Sequence, residues 1–151
     1  MADVTSDPAV TVCFMVNVDH RDLGAFTACD GLSLEVQIEA REEGGNNMFV
    51  HQLPGRIKYS NVKLTRVINK DSQEVSKWLA SMASSGIGRS TAHIAALSSD
   101  GKTVAEWVLD GVIPVKWQGP SLSVESPKVA TETLELAHHG FIDPGTMKGM
   151  L

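Results

Sequence analysis

Long apolar runs are missing from this chain. Nowhere in its 151 residues do hydrophobic side chains continue for more than a few positions, whereas a helix needs about 20 of them to cross a bilayer. No membrane anchor is therefore expected. The first residues, Met1-Ala2-Asp3-Val4, lack the basic and apolar regions of a secretory leader, so none is expected there. Cysteine is scarce: Cys13 and Cys29 are the only two. They are too few for a disulfide framework and read as reduced thiols. Positive charge is not in excess, with 13 Lys+Arg against 18 Asp+Glu and a formal net charge of −5. Nucleic-acid binders carry a basic face, so nucleic acid is not an expected partner. Aromatic residues make up only 5% of the chain, which argues against a cavity lined for an apolar ligand.

Catalytic signatures are equally sparse. The chain has no Gly-x-Ser-x-Gly elbow and no His-Glu-x-x-His pair. Gly86-x-Gly88 follows a helical pattern instead of preceding one, so it offers no helix N-terminus to a phosphate. Ser, His and Asp all occur, but no spacing pairs a nucleophile with a base. His138 and His139 are adjacent; on a strand they point to opposite faces and cannot chelate one metal together. Cys13-x15-Cys29 lacks the second close pair of a zinc site. No catalytic residue, metal ligand or cofactor is expected, and the chain is not expected to be an enzyme.

What is present is an ordinary soluble composition, 42% hydrophobic and 21% charged. At roughly 100–200 residues per domain, the length suits one unit. We read 1–151 as a single domain with a mobile arm at 1–10 and a loose tail at 142–151. Residues 11–18 alternate as a strand, Phe14, Val16 and Val18 against Cys13, Met15 and Asn17. Asp30-Gly31 marks a turn. The clearest alternation follows: Leu32, Leu34, Val36, Ile38 and Ala40 on one face, Ser33, Glu35, Gln37, Glu39 and Arg41 on the other. That predicts a long strand with a buried face and a wet face. Residues 44–55 read as an uncharged loop, and 57–68 as a second, basic strand carrying Lys58, Lys63 and Arg66. An acidic strand beside a basic one suggests cross-strand attraction.

One helix is legible. Val75, Trp78, Leu79 and Met82 fall at i, i+3, i+4 and i+7. Asp71 with Glu74 predicts a capping box, and Gly86 a stop. Further strands are expected at 90–98, 103–109, 112–117, 121–125 and 128–138, with hairpin turns at Asp100-Gly101 and Asp110-Gly111. Trp78 and Trp107 are expected in the core and Trp117 at a subunit boundary. Strands, one helix, then strands make a mainly β fold, a barrel or sandwich with a helix docked outside.

Several stretches, in order, resemble the tail-tube proteins of contractile phages and contractile injection systems. They are Phe14 to Val18, Gly24-Ala25-Phe26, Cys29-Asp30-Gly31-Leu32, Glu43-Gly44-Gly45-Asn46 and Leu53-Pro54-Gly55. Next come Tyr59-Ser60-Asn61-Val62-Lys63-Leu64-Thr65-Arg66, the helix with Lys77-Trp78, Pro114-Val115-Lys116-Trp117, and Glu132-Thr133-Leu134-Glu135-Leu136-Ala137-His138-His139-Gly140-Phe141. The resemblance covers roughly residues 12–142. Two departures, Val67-Ile68 where relatives carry a glycine and His139 where an acidic residue is common, suggest a specialised subunit such as an initiator ring beside the spike hub.

The resemblance implies a β-barrel of two packed antiparallel sheets with one flanking α-helix. It implies hexameric rings stacked into a rigid inner tube, driven through a target envelope by a contracting sheath. The implied partners are further copies of the chain, a sheath protein, a baseplate or spike-hub protein, a cap protein and a lumenal effector. The implied location is a phage tail or tail-like particle, assembled in the cytoplasm and released. Against that frame, Ser33, Glu35, Gln37 and Glu39 are expected to face the lumen. Gly44, Gly45, Asn46, Asn47, His51 and Pro54 are expected in a ring-stacking loop. Asn61, Lys63, Arg66, Trp117, Glu132 and Glu135 are expected at subunit interfaces. The rival readings are a monomeric ligand-binding β-barrel and a small hydrolase using one of the 5 histidines.

Overall fold

A computed structural model describes residues 10–41, 51–125 and 129–145. The elements run β1(Cys13–Val18), β2(Arg21–Phe26), β3(Ala28–Asp30), β4(Leu34–Arg41), β5(His51–Tyr59), β6(Val62–Val67), α1(Ser72–Ser85), β7(Ser90–Leu97), β8(Thr103–Gln118), β9(Thr131–Ala137) and β10(Gly140–Ile142). Among the described residues, seven strands lie side by side in the order β2-β1-β7-β8-β9-β6-β3, with β10 added to β8, and β4 pairs only with β5.

The seven-strand path folds into two sheets because β8 belongs to both. Its first part pairs with β7, Ala92 opposite Leu109. Its last part pairs with β9, Ile113 opposite Ala137. The change-over lies at Asp110-Gly111, where Gly111 has φ +62. Arg89 donates to the Gly111 carbonyl at 2.9 Å, and His139 N–H donates to that of Asp110 at 2.7 Å. The expected hairpin turn at Asp110-Gly111 is therefore a bend inside one long strand. At the far side the chain crosses between sheets from β2 to β3, and Thr27 N–H donates to the Thr65 carbonyl at 2.9 Å. The result is two antiparallel sheets face to face, not a closed barrel.

Between them sit Val16, Val18, Leu23, Phe26, Val62, Leu64, Ile94, Leu109, Leu134 and Leu136, all buried. The β1 and β7 alternations place every second side chain there, as the sequence pattern requires. Helix α1 covers the core with Val75 and Trp78, assisted by Leu79 and Met82. Trp107 packs against the same core. Gly86 stops the helix, its N–H returning to the Met82 carbonyl at 2.9 Å. The expected capping box does not form. Asp71 occupies the N-cap without a side-chain cap bond; instead Asn69 Oδ1 accepts the Asp71 N–H at 2.8 Å, and Ser72 Oγ accepts the Asn69 N–H at 3.1 Å.

Other differences have local causes. Strand β2 was not expected, because its turn uses Asp19 and His20 at φ 46 and 65 instead of glycine. The basic stretch 57–68 is two strands, interrupted at Ser60-Asn61. The loop expected at 44–55 ends earlier, since β5 begins at His51. Residues 121–125 are not a strand, and β9 is shorter than the stretch 128–138. Strand β10 lies partly in the expected C-terminal tail. Residues 1–9, 42–50, 126–128 and 146–151 lie outside the described residues, and with them most of the arm expected at 1–10, much of the loop expected at 44–55 and most of the tail expected at 142–151.

Candidate functional site: the projecting hairpin and its root

Strand β4 keeps its predicted alternation, but its apolar face is not buried. Leu34, Ile38 and Ile57 are 53%, 58% and 53% exposed. The pairing explains the composition of each face. Leu34 lies opposite Tyr59 and Val36 opposite Ile57, while Glu35 lies opposite Lys58. A register shift between Val36 and Ile38 then sets Ile38 opposite Pro54 and Glu39 opposite Leu53. Two β5 residues, Gly55 and Arg56, thus face Gln37 alone. Pro54, which has no N–H to give a ladder, lies next to this bulge, a usual place for proline in a strand. The bulge keeps Ile38 and Pro54 on the face of Leu34, Val36, Ile57 and Tyr59, while Leu53, opposite Glu39, falls on the other face.

Among the described residues the hairpin joins the body at its root. Gly31, at φ +90, lets the backbone pass so close to Asn61 that a Cβ there would collide with the Asn61 carbonyl. Ser33 Oγ donates to Ser60 Oγ at 2.9 Å. Tyr59, His138 and Phe141 form an aromatic cluster with centroids 5.3, 5.3 and 5.8 Å apart. His138 is buried, and its Nε2 lies 3.2 Å from the Ser60 carbonyl.

A second polar wall lies on β6, β9 and β8. Lys63, Lys116, Gln118, Thr133 and Glu135 line a shallow hollow of about 30 Å³, far below the several hundred Å³ of a small-molecule site. Asn61 Nδ2 donates to Glu135 Oε1 at 3.1 Å. The acid–base pairing expected between the two hairpin strands is thus shared: Glu35 faces Lys58, but Lys63 and Arg66 face Glu135 and Glu132 of β9.

The predicted residues therefore separate. Glu35, Gln37 and Glu39 share the polar hairpin face, and Ser33 sits at its root. His51 and Pro54 are in β5; Gly44, Gly45, Asn46 and Asn47 lie outside the described residues. Asn61, Lys63 and Glu135 are on the polar wall. Arg66 and Glu132 are not surface residues: they are 1% and 2% exposed and pair internally, Nε to Oε1 at 2.5 Å. Arg66 also donates to the carbonyls of Leu23 and Asp71 and lies 4.2 Å over the Phe26 ring. This pair ties both sheets to the helix start, which is a structural role inside the subunit. Trp117 is 40% exposed and its indole reaches Glu132 Oε2 at 3.3 Å.

Burial, with Asp30 adding, pushes the Cys29 thiol up to about 11, which suppresses the nucleophilic thiolate. Among the described residues no group of three His, Cys, Asp or Glu could hold a metal, and no helix is long and apolar enough to cross a membrane.

The family model for T4-like virus tail tube protein gp19 matches residues 10–142. The chain belongs to this tail tube protein family. No curated protein matches it. Among solved structures, this tail tube protein is similar to a chain in the 6-fold symmetrised baseplate of the anti-feeding prophage. That likeness has 26% identity and a TM-score of 0.76, and covers 91% of this chain and 96% of that one. A chain in the sheath–tube complex of the PVC extracellular contractile injection system matches at 19% identity and TM-score 0.74, covering 91% and 92%. Hcp1 of Flavobacterium johnsoniae matches at 14% identity and TM-score 0.50, covering 87% and 98%. The family is one of structural tube proteins, parts of phage tails and tail-like particles.

Proposed function

We propose that this tail tube protein forms rings of six copies that stack through the β4–β5 hairpin into a rigid hollow tube. The observation that carries this reading is the formed but uncovered apolar face of the hairpin, Leu34, Val36, Ile38 and Ile57. Such a face invites uncontrolled association in a lone subunit and is stable when a second copy covers it.

The opposite end of the subunit offers a matching surface. Strand β6 starts at the hairpin root and runs about 20 Å to Val67. There Val67 and Ile68 are exposed, beside exposed Val129, Ile68 N–H donating to the Ala130 carbonyl at 3.0 Å. Unlike surfaces at two ends make a head-to-tail contact that propagates along an axis instead of closing a dimer. Ring closure has support too: among the described residues β3 pairs only with β6, and the end of β8 only with β9, which leaves this sheet two free edges there.

In this reading Ser33, Glu35, Gln37 and Glu39 face the lumen, with Lys63, Lys116, Gln118, Thr133 and Glu135 as further water-facing wall. Asn61 and Trp117 lie toward ring neighbours. The role is mechanical, without catalysis. The partners are other copies, sheath, baseplate or hub, cap and a lumenal effector; assembly takes place in the cytoplasm before release. The 6-fold baseplate likeness supports the ring number. It also supports a position next to the baseplate, since its 26% identity exceeds the 19% to the sheath–tube chain.

Negative-stain electron microscopy with sedimentation tests this reading on the native chain and on Leu34→Ser/Val36→Thr/Ile57→Thr, with and without purified hub protein. Native rings or tubes with a central hole are expected. The variant should fold and melt within a few degrees of native yet fail to stack. Tubes of normal length from the variant, or a native monomer that the hub leaves dispersed, would overturn it. Growth only on the hub would assign the baseplate-proximal ring.

A further inference from the structure

We propose that a row of alternating charges, Asp30, Lys63, Glu135 and Lys116, sets the register in which a second copy of this chain joins the sheet of β3, β6, β9 and β8, with Asp30 of one copy meeting Lys116 of the next.

Strand pairing builds the row. Asp30 on β3 lies opposite Lys63 on β6. Lys63 lies opposite Glu135 on β9, and Glu135 opposite Lys116 on β8. Each of these adjacent strands thus contributes one charge, and the sign changes at every step. All four side chains share the outer face of the sheet, because their chain neighbours turn inward. Leu64 and Leu134 are buried in the core, and Cys29 packs against it. The next row on the outer face, Ala28, Thr65, Thr133 and Gln118, carries no charge.

The ends of the row coincide with the free edges of the sheet. The β3 edge bears the acid and the β8 edge the base. Asp30, Lys63 and Lys116 are exposed, and among the described residues no ion pair forms within the row. Each interior charge has an opposite charge on both sides. Asp30 and Lys116 have one on a single side, so each offers attraction to a neighbour.

A ring brings the β8 edge of one copy to the β3 edge of the next. Two alternations then continue through the contact. Every pairing in this sheet is antiparallel, so the end of β8 and β3 run in opposite directions and suit an antiparallel join. The charges alternate with the same period, so base meets acid at the join. A slip by two residues is the smallest that keeps side chains on their own face. In one direction it sets Asp30 against Gln118, and in the other Lys116 against Ala28. Either slip forfeits the attraction of facing opposite charges. Backbone edges alone do not distinguish these registers; the charge row does. This inference rests on the ring reading above and adds to it the residues that fix the join.

Electron microscopy with sedimentation tests it on the native chain, on Asp30→Lys, on Lys116→Glu and on an equimolar mixture of the two variants, all with purified hub protein. Asp30→Lys is positive at both edges, and Lys116→Glu is negative at both. Like charges then face each other at every join, so ring yield from either variant alone should fall at least about tenfold. The mixture should recover rings, and native mass spectrometry should find both variants in them in equal numbers. Repulsion inside each subunit is the same alone and mixed, so recovery reports the contact between copies. Rings at native yield from either variant alone, or a mixture that recovers none, would overturn the charge row and leave the ring reading standing. Absence of rings from the native chain would overturn both. If a variant fails to fold, Asp30→Cys/Lys116→Cys decides instead. Directly opposite residues lie within disulfide reach, so oxidation should link copies in series up to a closed ring, which neither single substitution should do. Failure to link overturns the proposal.

Discussion

Removing one partner of the Arg66–Glu132 pair should be more damaging than removing both. Each side chain is almost wholly buried, and an unpartnered charge in such a place costs about 3–5 kcal/mol. Glu132→Leu strands the Arg66 guanidinium; Arg66→Met strands the Glu132 carboxylate. If the two losses were independent, the double variant would lose about 6–10 kcal/mol, their sum. In the double variant no charge remains buried. What remains is the loss of donors to the Leu23 and Asp71 carbonyls, worth about 1–3 kcal/mol for a fully buried group and less for the part-buried Asp71. We expect about 2–4 kcal/mol for the double variant, hence a coupling of at least about 2 kcal/mol. Urea denaturation followed by tryptophan fluorescence measures all three. For a domain of this size each kcal/mol moves the midpoint of melting by about 2–4 °C, so each single variant should melt about 6–20 °C lower. A double variant as unstable as the sum of the singles would refute the reasoning.

Two further outcomes follow from local geometry. Gly31→Ala forces a side chain onto φ +90 and against the Asn61 carbonyl, so a loss of at least about 1–3 kcal/mol is expected; an unchanged calorimetric melt would contradict it. For Cys29 the thiol is raised from 9.0 to about 11, so at pH 8 its thiolate should be about 100-fold scarcer than in the unfolded chain. Alkylation by iodoacetamide should be slowed accordingly until denaturant is added. The sign for stability follows: the contribution is intact below pH 9 and is lost as pH rises from about 9 to about 11, because the unfolded thiol ionises first.

The elements most legible in the sequence were those whose period matches their environment. The stripe of Val75, Trp78, Leu79 and Met82 reads as a helix because one face meets a core. The Leu34 to Ala40 alternation reads as a strand for the same arithmetic. Its burial did not follow, since an alternating pattern states only that two faces differ, and here the apolar face lies open beyond the body. Strand β2 escaped notice because Asp19 and His20 adopt left-handed backbone without glycine. Asp110-Gly111 misled in the other direction: turn chemistry serves there to bend β8 between two sheets. For the site, Glu35, Gln37 and Glu39 do share a face. The resemblance implied a subunit boundary for Arg66 and Glu132, and nothing in the strand pattern marked two charged residues as interior. Only their cross-strand pairing, Arg66 opposite Glu132, makes burial tolerable.

By itself the sequence determined the class of this protein: mainly β with one helix, and with ordered motifs resembling a tail tube subunit. These properties reside in composition and short periodicities, which are local. Tertiary structure alone decided which apolar face stays uncovered, which ion pair is interior, and that His138 bridges the hairpin root through contacts to Ser60 and Gly140. Those depend on residues such as Ser60 and His138, separated along the chain and joined only when the sheets close on a shared core. No local pattern encodes that closure.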